Sequence, residues 1–173
     1  MDLNPLLADV EVFVKPIVRG VEIELNLTQG IPRTLADRGQ IEQVLVNLIL
    51  NAVDVLGRGG RICLTTGKGS IQAAIEGERA VGWPHTLAIE MGEEALEGDF
   101  VFAEVRDDGP GISEAHMAKL FEAFFTTKGE EKGTGLGLSI AQTIIGEWGG
   151  NILLASREGE GASFKVFLPS APA

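Results

Sequence analysis

Apolar residues recur at helical spacing at Leu3, Leu6, Leu7, Val10, Phe13, Val14 and Ile17, which predicts a first helix. Asn4 ahead of Pro5 marks its start, because Asn caps free amides and Pro loses nothing at a first helical position. Pro16 kinks or ends it. The period then changes. In VEIELNL, residues 21–27, Val21, Ile23, Leu25 and Leu27 alternate with polar residues, as in a strand buried on one face. Gly30 and Pro32 punctuate the turn after it. Residues 38–56 carry the clearest helical pattern, with Asp37 as cap and Gln40 placed for a capping box. Ile41, Val44, Leu45, Leu48, Ile49, Ala52, Val53 and Leu56 form one broad apolar stripe. Beside it Gln40, Gln43, Asn47, Asn51, Asp54 and Arg58 fall within roughly 80° of one another, a polar rail on a helix that packs against a sheet.

Further on, Arg61 to Thr66 and Phe100 to Arg106 read as strands. The Gly-rich, acidic stretch 67–99 between them is the least legible part, a variable insert that could hold a short hairpin around Trp83 and Leu87 to Ile89. After the second strand come the turn DDGPGI, a helix from Ser113 to about Phe124, and a loop rich in Gly, Lys and Glu. A helix from about Gly135 to Trp148 is stopped by Gly149 and Gly150. Strands at Asn151 to Ser156 and Ala162 to Leu168 flank the turn REGEGA, and residues 170–173 are a Pro/Ala tail expected to fray. Neighbouring hairpins and paired helices in this order predict an α+β two-layer sandwich, with a mixed, mostly antiparallel sheet covered on one face by helices. A doubly wound sheet fits the order poorly. Residues 1–169 are expected to form a single domain.

Composition narrows the chemistry. At 173 residues, 45% hydrophobic and 23% charged, the chain can bury one core. No apolar run approaches the ~20 residues that cross a bilayer, and Asp2, Asp9 and Glu11 stand where a leader would be basic. The expectation is a soluble, cytoplasmic domain without membrane contact. Cys63, in the apolar stretch Ile62-Cys63-Leu64, is expected as buried filler. The formal charge of −11 repels polyanions, and Lys128 and Lys132 are too few for a nucleic-acid patch. An anionic ligand would have to be held by backbone amides, a metal ion and one or two cations.

Three segments offer such means. Asn47 and Asn51, one helical turn apart, could face a hard cation or a phosphate-bound water, or simply solvent. Asp107-Asp108-Gly109-Pro110-Gly111-Ile112 follows a strand directly. An acidic residue there can accept a hydrogen bond from an exocyclic amine, with glycines leaving room for a flat base, or the segment is an ordinary tight turn. Gly133-Thr134-Gly135-Leu136-Gly137-Leu138-Ser139 opens a helix and could present free amides to phosphates, or act as a hinge. It lacks the Lys of a Walker loop.

In this order the segments resemble the histidine kinase branch of the superfamily that also contains gyrase B, Hsp90 and MutL. QVLVNLILNA (43–52) resembles its N box, VRDDGPGI (105–112) its first glycine box, LFEAFFTTK (120–128) its F box and GTGLGLSI (133–140) its second glycine box. GEGASFKVFLP (159–169) is similar to the closing strand. The resemblance implies the Bergerat-type ATP-binding fold, with ATP and Mg²⁺ as cofactors. It implies that Asp107 binds the adenine amine, assisted by Ser163 through its hydroxyl or a water, and that Gly109, Gly111 and Ile112 admit the base. Asn51 would ligate Mg²⁺, and Asn47 would lie near the phosphates. Asp54 stands where many relatives carry a basic residue toward them. Gly133, Thr134, Gly135, Leu136, Gly137 and Leu138 would form a mobile lid beginning at Thr127 and Lys128, with Lys128 on the terminal phosphate and Phe121, Phe124 and Phe125 packing the lid.

Catalysis would rest on Asn47 and Lys128. Where the gyrase-like branch carries a Glu as general base, this chain has Asn47, which cannot take a proton from water, so transfer is favoured over hydrolysis. Neither His85 nor His116 has the surroundings of a phosphoacceptor. The acceptor histidine is therefore expected on a separate dimerisation domain, with a response regulator downstream and this domain a monomer when isolated. Asp108 for Asn, Ala123 for Pro, the insert, and the short lid between Lys128 and Gly133 depart from the commoner pattern; Asp54 and the short lid suit a nitrogen-regulator-like branch. An anti-sigma-type serine kinase and a non-catalytic nucleotide sensor are the alternatives.

Overall fold

The computed structural model describes residues 1–128 and 133–172. Among them, β1 (Glu22–Leu27), β2 (Arg61–Gly69), β3 (His85–Leu87), β4 (Phe100–Asp107), β5 (Asn151–Arg157) and β6 (Gly161–Pro169) form one sheet in the order β1-β2-β4-β6-β5-β3. β1 runs parallel to β2, and the other neighbouring pairs are antiparallel. The mixed α+β architecture read from the sequence is thus the one observed.

Helices α1 (Leu3–Val14), α2 (Arg38–Leu56) and α6 (Gly137–Glu147) cover one face. Their apolar stripes, among them Leu7 and Val10, Leu45 and Ile49, and Ile145, bury against Val101, Ala103 and Val105 of β4 and Val166 and Leu168 of β6. Strand alternation sends Phe100, Leu153 and Phe167 to the opposite face. That face is also covered: Ile71 and Ile75 of α3 (Ile71–Val81) pack there. The helical cover expected on one face is observed, and the insert adds a second, smaller apolar patch on the other. Ser70 caps α3, accepting from the Ala73 amide at 3.1 Å. The cap and the spacing of Ile71, Ala74 and Ile75 were readable, but Gly77 and the charged residues around it interrupt the pattern. The short β3 pairs with the distant β5, so no local hairpin forms at Trp83. A single helical turn, α4 (Glu93–Leu96), completes the insert.

Other differences have local causes. Asp2 caps α1, accepting from the Asn4 amide at 3.0 Å. Asn4 instead ties the helix to the sheet, donating to the Thr28 carbonyl at 2.9 Å and accepting from the Thr66 hydroxyl at 2.5 Å. Asp37 caps α2 as expected, but the Gln40 side chain accepts from the Trp148 indole at 2.7 Å, joining the start of α2 to the end of α6. The helix predicted over 113–124 is only α5 (Glu114–Met117). Beyond it the backbone bends until Phe124 takes a left-handed conformation, φ 67°, and donates to the Gly135 carbonyl at 2.9 Å. Gly135 is itself left-handed, φ +68°, so α6 starts at Gly137. In the tail the amides of Ser170 and Ala171 donate to the Asp99 and Arg33 carbonyls. Cys63 is half-buried.

Candidate functional site

A cavity of about 730 Å³ opens between the polar edge of α2, the end of β4 with its following loop, residues 125–128 and the start of α6. Its size suits a small-molecule ligand. Asp107 ends β4 at its inner end and is 6% exposed. Burial pushes its carboxyl above the ordinary carboxylate value, and Asp108 adds to the rise, while hydrogen bonds from the Gly109 and Ala162 amides pull the other way. The Gly109 amide donates to Oδ1 at 2.9 Å. A buried carboxylate with spare acceptor capacity beside an open space suits a ligand that brings an amine donor.

The loop after Asp107 is braced from below. Gly111 has φ +73°, and a Cβ there would meet the Arg157 carbonyl oxygen at 2.2 Å, so only glycine permits the loop to sit on the β5–β6 turn. Ser156 connects the two, accepting from the Ile112 amide at 2.8 Å and donating to the Gly161 carbonyl at 2.6 Å. Gly111 and Ile112 line the cavity. Gly109 lies just behind them as the donor to Asp107. Asp108 turns away, accepting from the Arg61 amide at 2.7 Å, which explains why a carboxylate is accommodated in that position.

At the other end stand Asn47, Asn51 and Asp54 of α2. Among the described residues Asn47 Nδ2 is buried without a hydrogen-bond partner, a donor left for a ligand acceptor. A Cβ on Gly137 would come within 2.7 Å of the Asn47 amide, so glycine allows the start of α6 to approach this point. Among the described residues no side chain caps α6, and its first residues, Gly137 and Leu138, line the cavity at the positive end of the helix dipole. Lys128 Nζ lies 2.6 Å from Asp54 Oδ2 and 3.2 Å from Asn51 Oδ1. The oxygens of Asn51 and Asp54 therefore converge on one positive charge.

Thr127, Gly133, Thr134, Gly135 and Leu138 also line the cavity. Leu136 does not; it lines a neighbouring groove between α2 and α6. The segment between Lys128 and Gly133, with Lys132, lies outside the described residues. Ser163 is a correction. Its hydroxyl donates to Glu104 Oε1 at 2.6 Å, on the sheet face away from the cavity, while its neighbours Ala162 and Phe164 line the cavity. Ala162 is the register partner of Asp107, so the position beside the carboxylate carries a methyl group. Phe124 is a second correction: it is 75% exposed, whereas Phe121 packs on the core and Phe125 lines the cavity. Sequence reading missed His116, Leu120 and Glu158 as lining residues. His116 is exposed at the rim, its ring 5.8 Å from that of Phe125; nothing in its local sequence signals that position.

A sheet backed by helices, with a buried carboxylate and an uncapped helix start facing across one cavity, defines a nucleotide-binding sandwich. The family model described as histidine kinase-, DNA gyrase B- and HSP90-like ATPase matches residues 36–172. Sensor kinase CckA of Brucella abortus (strain 2308) is 42% identical over 174 residues, covering 98% of this chain and 17% of that protein. The catalytic domain of histidine kinase ThkA superposes with a TM-score of 0.72 at 32% identity, over 98% of this chain and 93% of that domain. Full-length ShkA, solved in complex with AMPPNP, gives 0.73 at 28% identity, over 100% of this chain and 31% of that one. The chain belongs to this ATPase family, among its histidine kinase catalytic domains. It spans only a small part of the full-length kinases it matches.

Proposed function

We propose that this domain binds Mg-ATP and transfers its γ-phosphoryl group to a histidine on a separate dimerisation domain of the same kinase, from which a response regulator takes it. The observation that carries this is the polarity of this cavity: a buried acceptor, Asp107, at one end, and donors for phosphate at the other. Asp107 accepts from the adenine amine, and the Gly111–Ile112 loop gives the base its floor. Ala162 leaves the base without the side-chain hydroxyl that the resemblance implied. The orphaned Asn47 amide, the first amides of α6 and Lys128 hold the phosphates.

Among the described residues no three His, Cys, Asp or Glu side chains cluster as a metal site. Magnesium needs no such cluster, because it keeps waters and phosphate oxygens as most of its ligands. Asn51 Oδ1, with Asp54 nearby, fits the one or two protein oxygens required, and both already face a cation. Bound there, Mg²⁺ would neutralise charge on the phosphates during transfer. Asn47, one turn before Asn51, supplies no general base toward water, so the domain positions the γ-phosphoryl for an incoming imidazole better than for hydrolysis. Among the described residues no helix is long and apolar enough to cross a membrane, and the charge of −11 keeps the surface unsuited to nucleic acid.

The test is incubation of the chain with γ-labelled ATP, Mg²⁺ and an added histidine-bearing dimerisation domain. Acid-labile label should appear on that domain and vanish when its histidine is replaced. Acid-stable label would favour a serine kinase. Nucleotide binding with no transfer to any acceptor would favour a sensor.

A further inference from the structure

Lys128 and Asp54 are 74 residues apart in sequence yet share a charge-assisted contact across the mouth of the cavity. The ammonium of Lys128 lies 2.6 Å from Asp54 Oδ2 and 3.2 Å from Asn51 Oδ1, so it sits on the oxygen assigned above to the metal. An ammonium group and a divalent ion seek the same partners, and two side-chain oxygens on adjacent turns of α2 cannot serve both at contact distance. The pair is open enough to exchange: the Lys128 side chain is 27% exposed and that of Asp54 55%. A basic residue in place of Asp54 would repel Lys128. The carboxylate instead draws it in, which gives the acidic residue on this helix edge a physical purpose.

We infer that Asn51 and Asp54 form one cation seat, held by Lys128 until divalent metal arrives with the nucleotide. The inference rests on the proposed Mg-ATP reading. Metal entry takes the Asn51 oxygen and releases Lys128, whose flexible stem lets the ammonium re-pair with phosphate oxygens on the same side of the cavity. Asp54 is then a positioning residue: it fixes where the lysine waits, and it makes metal and lysine compete. The step is an exchange of ion pairs, with no covalent change.

Calorimetric titration of the 173-residue chain with AMPPNP across a series of Mg²⁺ concentrations tests this, the readout being the Mg²⁺ concentration that gives half-maximal binding. Lys128→Met removes the competitor but also a phosphate partner, so the readout is how Asp54→Asn shifts the midpoint with and without the lysine. Asp54→Asn is therefore measured in both backgrounds, where the phosphate contact cancels. In the wild type it weakens both occupants of the seat and the midpoint should barely move. In Lys128→Met only the metal is affected, and the midpoint should rise roughly fivefold. Equal shifts in the two backgrounds would overturn the shared seat and leave nucleotide binding standing. No AMPPNP binding by the wild type at any Mg²⁺ concentration would overturn the nucleotide reading, and the seat with it.

Discussion

Asp107→Asn should lower the affinity for an ATP analogue by roughly 100-fold, because it sets donor against donor in a buried site. In the native chain the carboxylate accepts from the Gly109 amide at 2.9 Å, with the Ala162 amide also favouring its ionised form. Asparagine can keep its oxygen on those amides, and its NH₂ group then points at the adenine amine. It can instead turn the oxygen to the base, and a backbone amide then faces an NH₂ group. Either way one buried donor is unmet. Misfolding would not explain the loss. Burial raises the Asp107 pKa, so the ionised side chain is costly in the nucleotide-free fold, and the neutral, same-shaped Asn should melt no lower than wild type. The same shift fixes the pH dependence. Between the ordinary carboxylate value and the raised one, the folded free chain holds a proton that the unfolded chain has lost, so stability falls as pH rises across that interval. Analogue affinity should rise over the same interval, since the ionised form is the better acceptor, and Asp107→Asn should show neither trend. Calorimetry and thermal melts over that range check both.

Gly161→Ala should destabilise the fold by about 3 kcal/mol, a fall in Tm of roughly 10 °C for a chain of this length. Gly161 has φ +110°, and a Cβ there would lie 2.0 Å from the Asp107 carbonyl oxygen and 3.1 Å from the Asp108 Cα. All of these neighbours are backbone, so no side chain can rotate to make room. The turn supplies its own control. Gly159, at φ +82°, has nothing within 4 Å of its Cβ position among the described residues, so Gly159→Ala should cost only the left-handed strain, about 1 kcal/mol. Differential scanning calorimetry of the two variants separates collision from strain; equal melting temperatures would show that the strand ends can part without cost. Because the collision falls on Asp107 itself, Gly161→Ala should also weaken nucleotide binding while Gly159→Ala leaves it near wild type.

What could be read in the sequence follows the range over which each signal acts. α2 was legible in full because Asp37, the apolar stripe and the Asn47–Asn51–Asp54 edge all lie within one helix, where a 3.6-residue period fixes which side chains share a face. The loop after β4 was legible because Asp107, Gly109 and Gly111 carry their own turn chemistry. Ser163 was misplaced for a physical reason. Residues 161–164 of β6 are buried on both faces, so no polar alternation reveals the phase, and a slip of one residue turns a strand side chain to the other side. The lid segment shows the same limit in another form: an uninterrupted helical pattern over 113–124 gave no warning that Phe124 would turn left-handed to meet Gly135. The contact of Lys128 with Asp54, and the cover that α3 gives to Phe100 and Phe167, depend on chain folding over long separations. No local pattern encodes either.

Recognition of adenine by Asp107 is tested most directly by competition between ATP and inosine triphosphate on the unaltered chain. The two nucleotides carry the same triphosphate, but inosine has a carbonyl where adenine has its exocyclic amine, so a carboxylate would face an oxygen. ATP should bind at least roughly 100-fold more tightly, the discrimination expected when a buried acceptor loses its donor. Equal affinities would contradict the account, because the phosphates alone would then be holding the nucleotide.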